Sequence, residues 1–358
     1  MQYEEGVLLD GRFLLKEFKG AGAYGEVWLT HDQQTDIDVA VKIYVSMESQ
    51  GLDDFKKEFQ VSFDLNHTNL LHANFLEISK EDQRPYLVMP YCPNGSVLKK
   101  AGRMEEKELW KYIRDVASGL AYLHSQNPPI INQDIKPDNI LLAKNGDYVI
   151  TDFGISQQAR STLRKSAMHL NSAGSMAYMG PERFSKEYHA VKASDIWSLG
   201  VTIFELAMGD LPFCGMGGSM QKQGAEIPDL SENFSPDLNM LMQSCLAKET
   251  WDRPTAEQIA DYADKKTKGQ NPERTWNLPS DIIDTSKNDK KDIGVIDDSK
   301  LIQSSKGNVS EKAKLENHDG DKTIIKEEKK KKNSGAWLSW AVLATIGLLI
   351  GAIARLIL

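Results

Sequence analysis

Cysteine is scarce in this 358-residue chain. The three present, Cys92, Cys214 and Cys245, are odd in number and far apart. That excludes a disulfide framework or a cysteine-rich metal cluster and fits a reducing compartment. Positive charge is in deficit: 43 Lys and Arg against 51 Asp and Glu leave a formal net charge of −8. A nucleic-acid binder would ordinarily show a basic stripe or patch, so that class is set aside. Met1 to Asp10 lacks the basic start and apolar core of a secretory signal. There is no internal repeat. From 263 to 335 aromatic residues reduce to Trp276, and Lys, Asp, Ser, Asn and Glu dominate. Such a stretch buries little apolar surface and is expected to be a flexible, charged linker. From 336 to 354 charge is missing altogether.

What remains, from about 7 to 262, alternates apolar runs with turn signals, as a folded domain does. Strand-like segments come first: Val7 to Phe18, Glu26 to His31 and Asp38 to Val45. A helical pattern follows from Leu52 to Asn66, then a short apolar strand from Tyr86 to Met89. After Gly95 the pattern is mostly helical, with Glu105 to Ser125, Lys192 to Met208 and Asp237 to Leu246 as the clearest stretches. The expected fold class is α+β. A small sheet-rich lobe (about 7–90) precedes a larger helical lobe (about 93–262).

Gly20, Gly22 and Gly25 are spaced between two strand-like runs, where glycine lets backbone amides approach phosphate oxygens closely. A dinucleotide-binding loop would open into a helix, whereas strand-like Glu26 to Leu29 follows here. In Val39-Ala40-Val41-Lys42-Ile43 a lysine sits inside an apolar strand, a position that is costly unless the charge is paired. Glu58 on the following helix offers the partner, and an edge-strand lysine reaching water is the plainer alternative. Asp134-Ile135-Lys136-Pro137-Asp138-Asn139 is followed, thirteen residues beyond Asn139, by Asp152-Phe153-Gly154. Asp134 can accept the proton of an attacking hydroxyl, while Asn139 and Asp152 can hold Mg²⁺ on phosphates.

With these pieces in order, and with Gly180-Pro181-Glu182, Asp195-Ile196-Trp197-Ser198-Leu199-Gly200 and Trp251-Asp252-Arg253-Pro254 after them, the chain resembles the eukaryotic-type serine/threonine protein kinases. The resemblance implies a two-lobed kinase fold, ATP with Mg²⁺ (or Mn²⁺), protein substrates, autophosphorylation and a role in signal transduction. By resemblance Lys42 positions the α- and β-phosphates, Asp134 and Lys136 serve catalysis, and Val27, Ala40 and Leu141 enclose the adenine. Met89 guards the back of that pocket, with Pro90 and Cys92 as hinge. Ser175 matches a residue that hydrogen-bonds around the catalytic aspartate, Glu182 pairs with Arg253, and Asp195 holds the catalytic-loop backbone. Lys136, two residues after Asp134, is by resemblance the pattern of serine/threonine kinases, and a lysine there can neutralise the transferring phosphoryl group.

Three residues depart from the family pattern in ways that bear on activity. Its usual His-Arg-Asp reads Asn132-Gln133-Asp134, and Ser62 stands where an apolar residue is common. Neutral Gln133 cannot make the arginine's charge-assisted bond to a phosphate. Activity independent of phosphorylation at Ser161, Thr162, Ser166 or Ser172 is therefore expected. The alternative reading is a weakly active or inactive kinase fold that serves as a membrane-tethered binding scaffold.

The uncharged stretch 336–354 approaches the roughly 20 residues that span hydrocarbon. Trp337 and Trp340 suit an interface, and Lys329 to Lys332 just upstream predict a cytosolic kinase side. A single-pass membrane helix is expected, and a buried or surface helix is the rival. Gly347 and Gly351 form a G-x-x-x-G pair that would allow a homodimer.

Overall fold

The computed structural model describes residues 3–22, 25–47, 52–53, 55–56, 59–60, 63–153, 176–185, 187–188 and 190–277. The expected membrane span, the linker beyond 277, Glu58, Ser62, Gly154, Ser175 and the four candidate phosphorylation sites lie outside the described residues. Among the described residues, no helix is long and apolar enough to cross a membrane.

The first lobe is a six-stranded antiparallel sheet in the order β1-β2-β3-β4-β6-β5. Its strands are β1 (Leu8–Leu9), β2 (Phe13–Gly22), β3 (Gly25–Asp32), β4 (Ile37–Tyr44), β5 (Phe75–Ile78) and β6 (Pro85–Pro90). The expected single strand from Val7 to Phe18 is split by Asp10 and Gly11, both at positive φ (50° and 70°), which reverse the chain. Alternation then works as the pleat requires: Phe13 and Leu15 of β2 and Val39, Val41 and Ile43 of β4 share one core with Tyr86 and Val88 of β6. Strand β5 has no counterpart in the sequence reading. The described residues within 52–63 are helical, as expected.

The second lobe is helical. Helix α1 (Glu106–Ser125) buries Leu109, Ile113, Val116, Leu120 and Leu123 along one stripe. Helix α2 (Lys192–Met208) is buried from Ser194 to Ala207 without a break. A helix apolar nearly all round must be central, and this one ends at Gly209, whose φ of 85° suits a left-handed cap. The short α3 (Gly218–Lys222), α4 (Pro236–Cys245) and α5 (Ala256–Thr267) complete the lobe. The hairpin of β7 (Ile140–Leu142) and β8 (Tyr148–Ile150) lies against α1.

The domain boundary expected at Tyr262 falls within α5. A capping box of Thr255 and Gln258 starts this helix, Ala263 is fully buried, and Trp276 packs edge-on to Tyr262 with centroids 5.2 Å apart. Residues 263–277 therefore belong to the folded unit. Their polar composition misleads because one aromatic and one alanine supply the burial that matters.

Candidate active site

The glycines between β2 and β3 serve two different needs. At Gly25 (φ 148°) an added Cβ would lie 2.0 Å from the Ile43 carbonyl oxygen, so only glycine lets β3 pack on β4 there. Gly20 (φ 151°) has nothing within 4 Å of that point. Gly22 pairs with Gly25 at the tip of the hairpin. Gly25→Ala is expected to cost about 1–3 kcal/mol more than Gly20→Ala, because overpacking adds to the shared φ strain. Equal losses of unfolding temperature in the two variants would sink this distinction.

Lysine 42 lies on β4 with its side chain buried, and its Nζ donates to Asp152 Oδ1 at 2.5 Å. A second favourable contact is the Tyr44 ring, 5.3 Å from Nζ to centroid. The ion pair expected with Glu58 lies outside the described residues. Asp152 follows β8 in a left-handed conformation (φ 58°), a strain that the local bonding must hold.

Three side chains of the loop between α1 and β7 converge. Lys136 Nζ donates to both Asp134 carboxylate oxygens at 3.2 Å. Asn139 Nδ2 donates to the Asp134 backbone oxygen at 2.8 Å and to its Oδ2 at 2.9 Å. The Asn139 carbonyl in turn accepts from Thr151 N at 2.9 Å, which fixes the loop against the residue preceding Asp152. Since both Asn139 contacts consume the amide nitrogen, its Oδ1 is the atom suited to a cation. Among the described residues, no three His, Cys, Asp or Glu side chains converge as metal ligands. An Asp carboxylate and an Asn amide oxygen are nonetheless a hard, all-oxygen donor set, which fits Mg²⁺ completed by phosphate and water.

The loop backbone hangs on one fully buried carboxylate. Asp195, in the first turn of α2, accepts from Asn132 N at 2.9 Å and from Gln133 N at 2.7 Å. His124 Nε2, at the end of α1, lies 2.9 Å from the same group. His124 is absent from the sequence-derived site. Its signal, a histidine in the last turn of an amphipathic helix, is equally common where no function is attached. Glu182 and Arg253 meet through two hydrogen bonds, 3.1 and 2.8 Å.

Of the expected adenine enclosure, the sheet register pairs Val27 with Lys42 and Ala40 with Met89. Met89 is buried and Pro90 exposed. Cys92 is buried, which pushes its thiol pKa up and leaves it a poor nucleophile. Leu141 on β7 bridges to Ser96, just past the turn that follows Cys92.

Residues 13–263 match the family described as protein kinase domain. The chain is 31% identical to the serine/threonine-protein kinase pakE of Dictyostelium discoideum, over 70% of this chain and 27% of that protein. To the serine/threonine-protein kinase PrkC of Bacillus subtilis it is 30% identical, over 68% of this chain and 38% of the relative. To the Aurora kinase of Schizosaccharomyces pombe it is 32% identical, over 70% of each. The chain thus spans well under half the length of the first two of these relatives.

Proposed function

Because this chain belongs to the protein kinase family, we propose that it transfers the γ-phosphoryl group of ATP to serine and threonine hydroxyls of proteins, its own included, in a signalling role. The observation that carries this reading is the convergence of Asp134, Lys136 and Asn139 on one loop, tied through Thr151 to Asp152 and thence to Lys42. Asp134 accepts the proton as the substrate oxygen bonds to the γ-phosphorus. The bond from that phosphorus to the β–γ bridging oxygen breaks, and ADP leaves with the electron pair. Lys136 offsets charge on the transferring group, and Lys42 orients the α- and β-phosphates. Asn139 and Asp152 would hold Mg²⁺, which neutralises phosphate charge when bound.

Val27, Ala40 and Leu141 enclose the adenine in this reading. Met89 backs the pocket, and the Pro90 carbonyl and Cys92 backbone serve as hinge. The glycines at 20, 22 and 25 cover the phosphates. Residues 336–354 anchor the chain to a membrane with the kinase on the cytosolic side, and Gly347 and Gly351 bring two copies together. What supports the anchor is the uncharged stretch and the lysine cluster before it.

The test is radiolabelled phosphoryl transfer by the full-length chain to a generic basic protein with Mg-ATP, followed by phosphoamino-acid analysis. Phosphoserine or phosphothreonine is expected. Mg-ATP binding without transfer would replace the enzyme with the scaffold reading. Extraction of the chain from membranes by alkaline carbonate would remove the anchor.

A further inference from the structure

Gln133 immediately precedes Asp134 and has a φ of 64°, a left-handed conformation that non-glycine residues rarely hold without outside support. Part of that support is Asp195, which takes the Gln133 N–H. The rest comes from a segment to which the sequence reading assigned nothing. Arg183 Nη1 donates to the Gln133 backbone oxygen at 2.9 Å, and the Tyr188 hydroxyl donates to Gln133 Oε1 at 3.3 Å. The Arg183 guanidinium carbon also lies 5.4 Å from the centre of the Tyr188 ring, so the two donors brace each other. The N–H, the carbonyl and the side-chain oxygen of Gln133 are thus each held by a residue between 183 and 195.

We propose that Arg183 and Tyr188 are positioning residues, which fix Asp134 in its reactive orientation by clamping Gln133 in place of an activation-segment phosphate. A neutral amide is what this arrangement accepts. An arginine at 133 would set a second guanidinium beside Arg183 and would offer Tyr188 no acceptor. The chain between 183 and 188 then does by direct contact what a phosphate on the 161–172 stretch would do by charge. Restoring the arginine that the family usually carries should therefore harm this protein.

The inference rests on the kinase reading above, and its test separates the two. With the full-length chain, kcat would be measured per Mg-ATP-binding site, so that misfolded molecules drop out of the count. Arg183→Met is expected to lower kcat about tenfold, as loss of one hydrogen bond from a charged donor would. The dissociation constant for Mg-ATP should stay within about twofold, since no nucleotide contact is touched. Arg183→Lys, which keeps a charged donor, should recover most of the rate. Gln133→Arg should also lose about tenfold, and Tyr188→Phe about two- to threefold. A Gln133→Arg variant as fast as the unmodified chain, or an Arg183→Met variant with unchanged kcat, would overturn the clamp while leaving the kinase reading intact. Absence of transfer by the unmodified chain would overturn the kinase reading and the clamp with it.

Discussion

Asp134→Asn is expected to lower phosphoryl transfer by about 10²- to 10⁴-fold, the range that a positioned general base contributes. Asparagine has nearly the same shape and keeps one acceptor oxygen, so the loop should survive. What it loses is the ability to accept the hydroxyl proton. It also loses the negative charge that now holds Lys136 Nζ at 3.2 Å from both oxygens. Neither loss falls on a group proposed to touch the nucleotide base or the α- and β-phosphates, so Mg-ATP affinity should change by no more than about threefold, or roughly 0.7 kcal/mol. Initial rates and calorimetric binding on the same preparation separate the two effects. A variant that retains more than about a tenth of the rate would remove Asp134 from the role of base.

Arg253→Ala should give the largest loss of stability. The guanidinium is buried and makes five hydrogen bonds: two to Glu182 and one each to the backbone oxygens of Ala247, Ala193 and Lys248. Truncation would strand a mostly buried carboxylate and three carbonyls. Breaking a buried pair in this way costs about 3–5 kcal/mol, a large part of the roughly 5–15 kcal/mol that holds a domain together. For a folded unit of this size the unfolding temperature should fall by roughly 6–20 °C.

The pH dependence has a definite sign. Burial alone would push the Glu182 carboxyl up, but Arg253 outweighs it and holds the group below its ordinary value near 4.5. A depressed folded value means the pair's contribution is present above that ordinary value and is lost as pH falls through the folded one. The stability gap between wild type and Arg253→Ala should be widest near pH 7 and should narrow below about pH 4.5. Denaturant melts at pH 7 and pH 4 measure it. A gap under about 1 kcal/mol at pH 7, or one that widens in acid, would show that the pair does not brace the lobe as described.

How far the sequence could be read depended on how local each feature is. Helix α2 was bounded correctly because an apolar run of that length, closed by Gly209, has few other solutions. The loop carrying Asp134, Lys136 and Asn139 was legible because all three groups come from six consecutive residues. Strand β5 was missed: only four residues long and carrying Glu77, it is a strand because β6 pairs with it. Helix α5 had a usable signal in the Thr255/Gln258 capping box, but its polar second half and the distance to Trp276 hid its place in the core. His124, Arg183 and Tyr188 were out of reach for a different reason. Arg183 and Tyr188 reach Gln133 across 50 and 55 positions of sequence, His124 reaches Asp195 across 71, and no periodicity encodes such contacts.

Asp195 also sets a clock. Loops ordinarily rearrange in nanoseconds to microseconds, on their own schedule. The amides of Asn132 and Gln133, however, end on a carboxylate that belongs to α2, a helix buried continuously from Ser194 to Ala207. Those two amides cannot be released unless α2 shifts or its first turn opens, and such openings draw on the stability of the core. The segment carrying Asp134 is therefore irregular in backbone shape but has the lifetime of a core element, so the placement of Asp134, Lys136 and Asn139 proposed for phosphoryl transfer persists as long as the helical lobe stays folded.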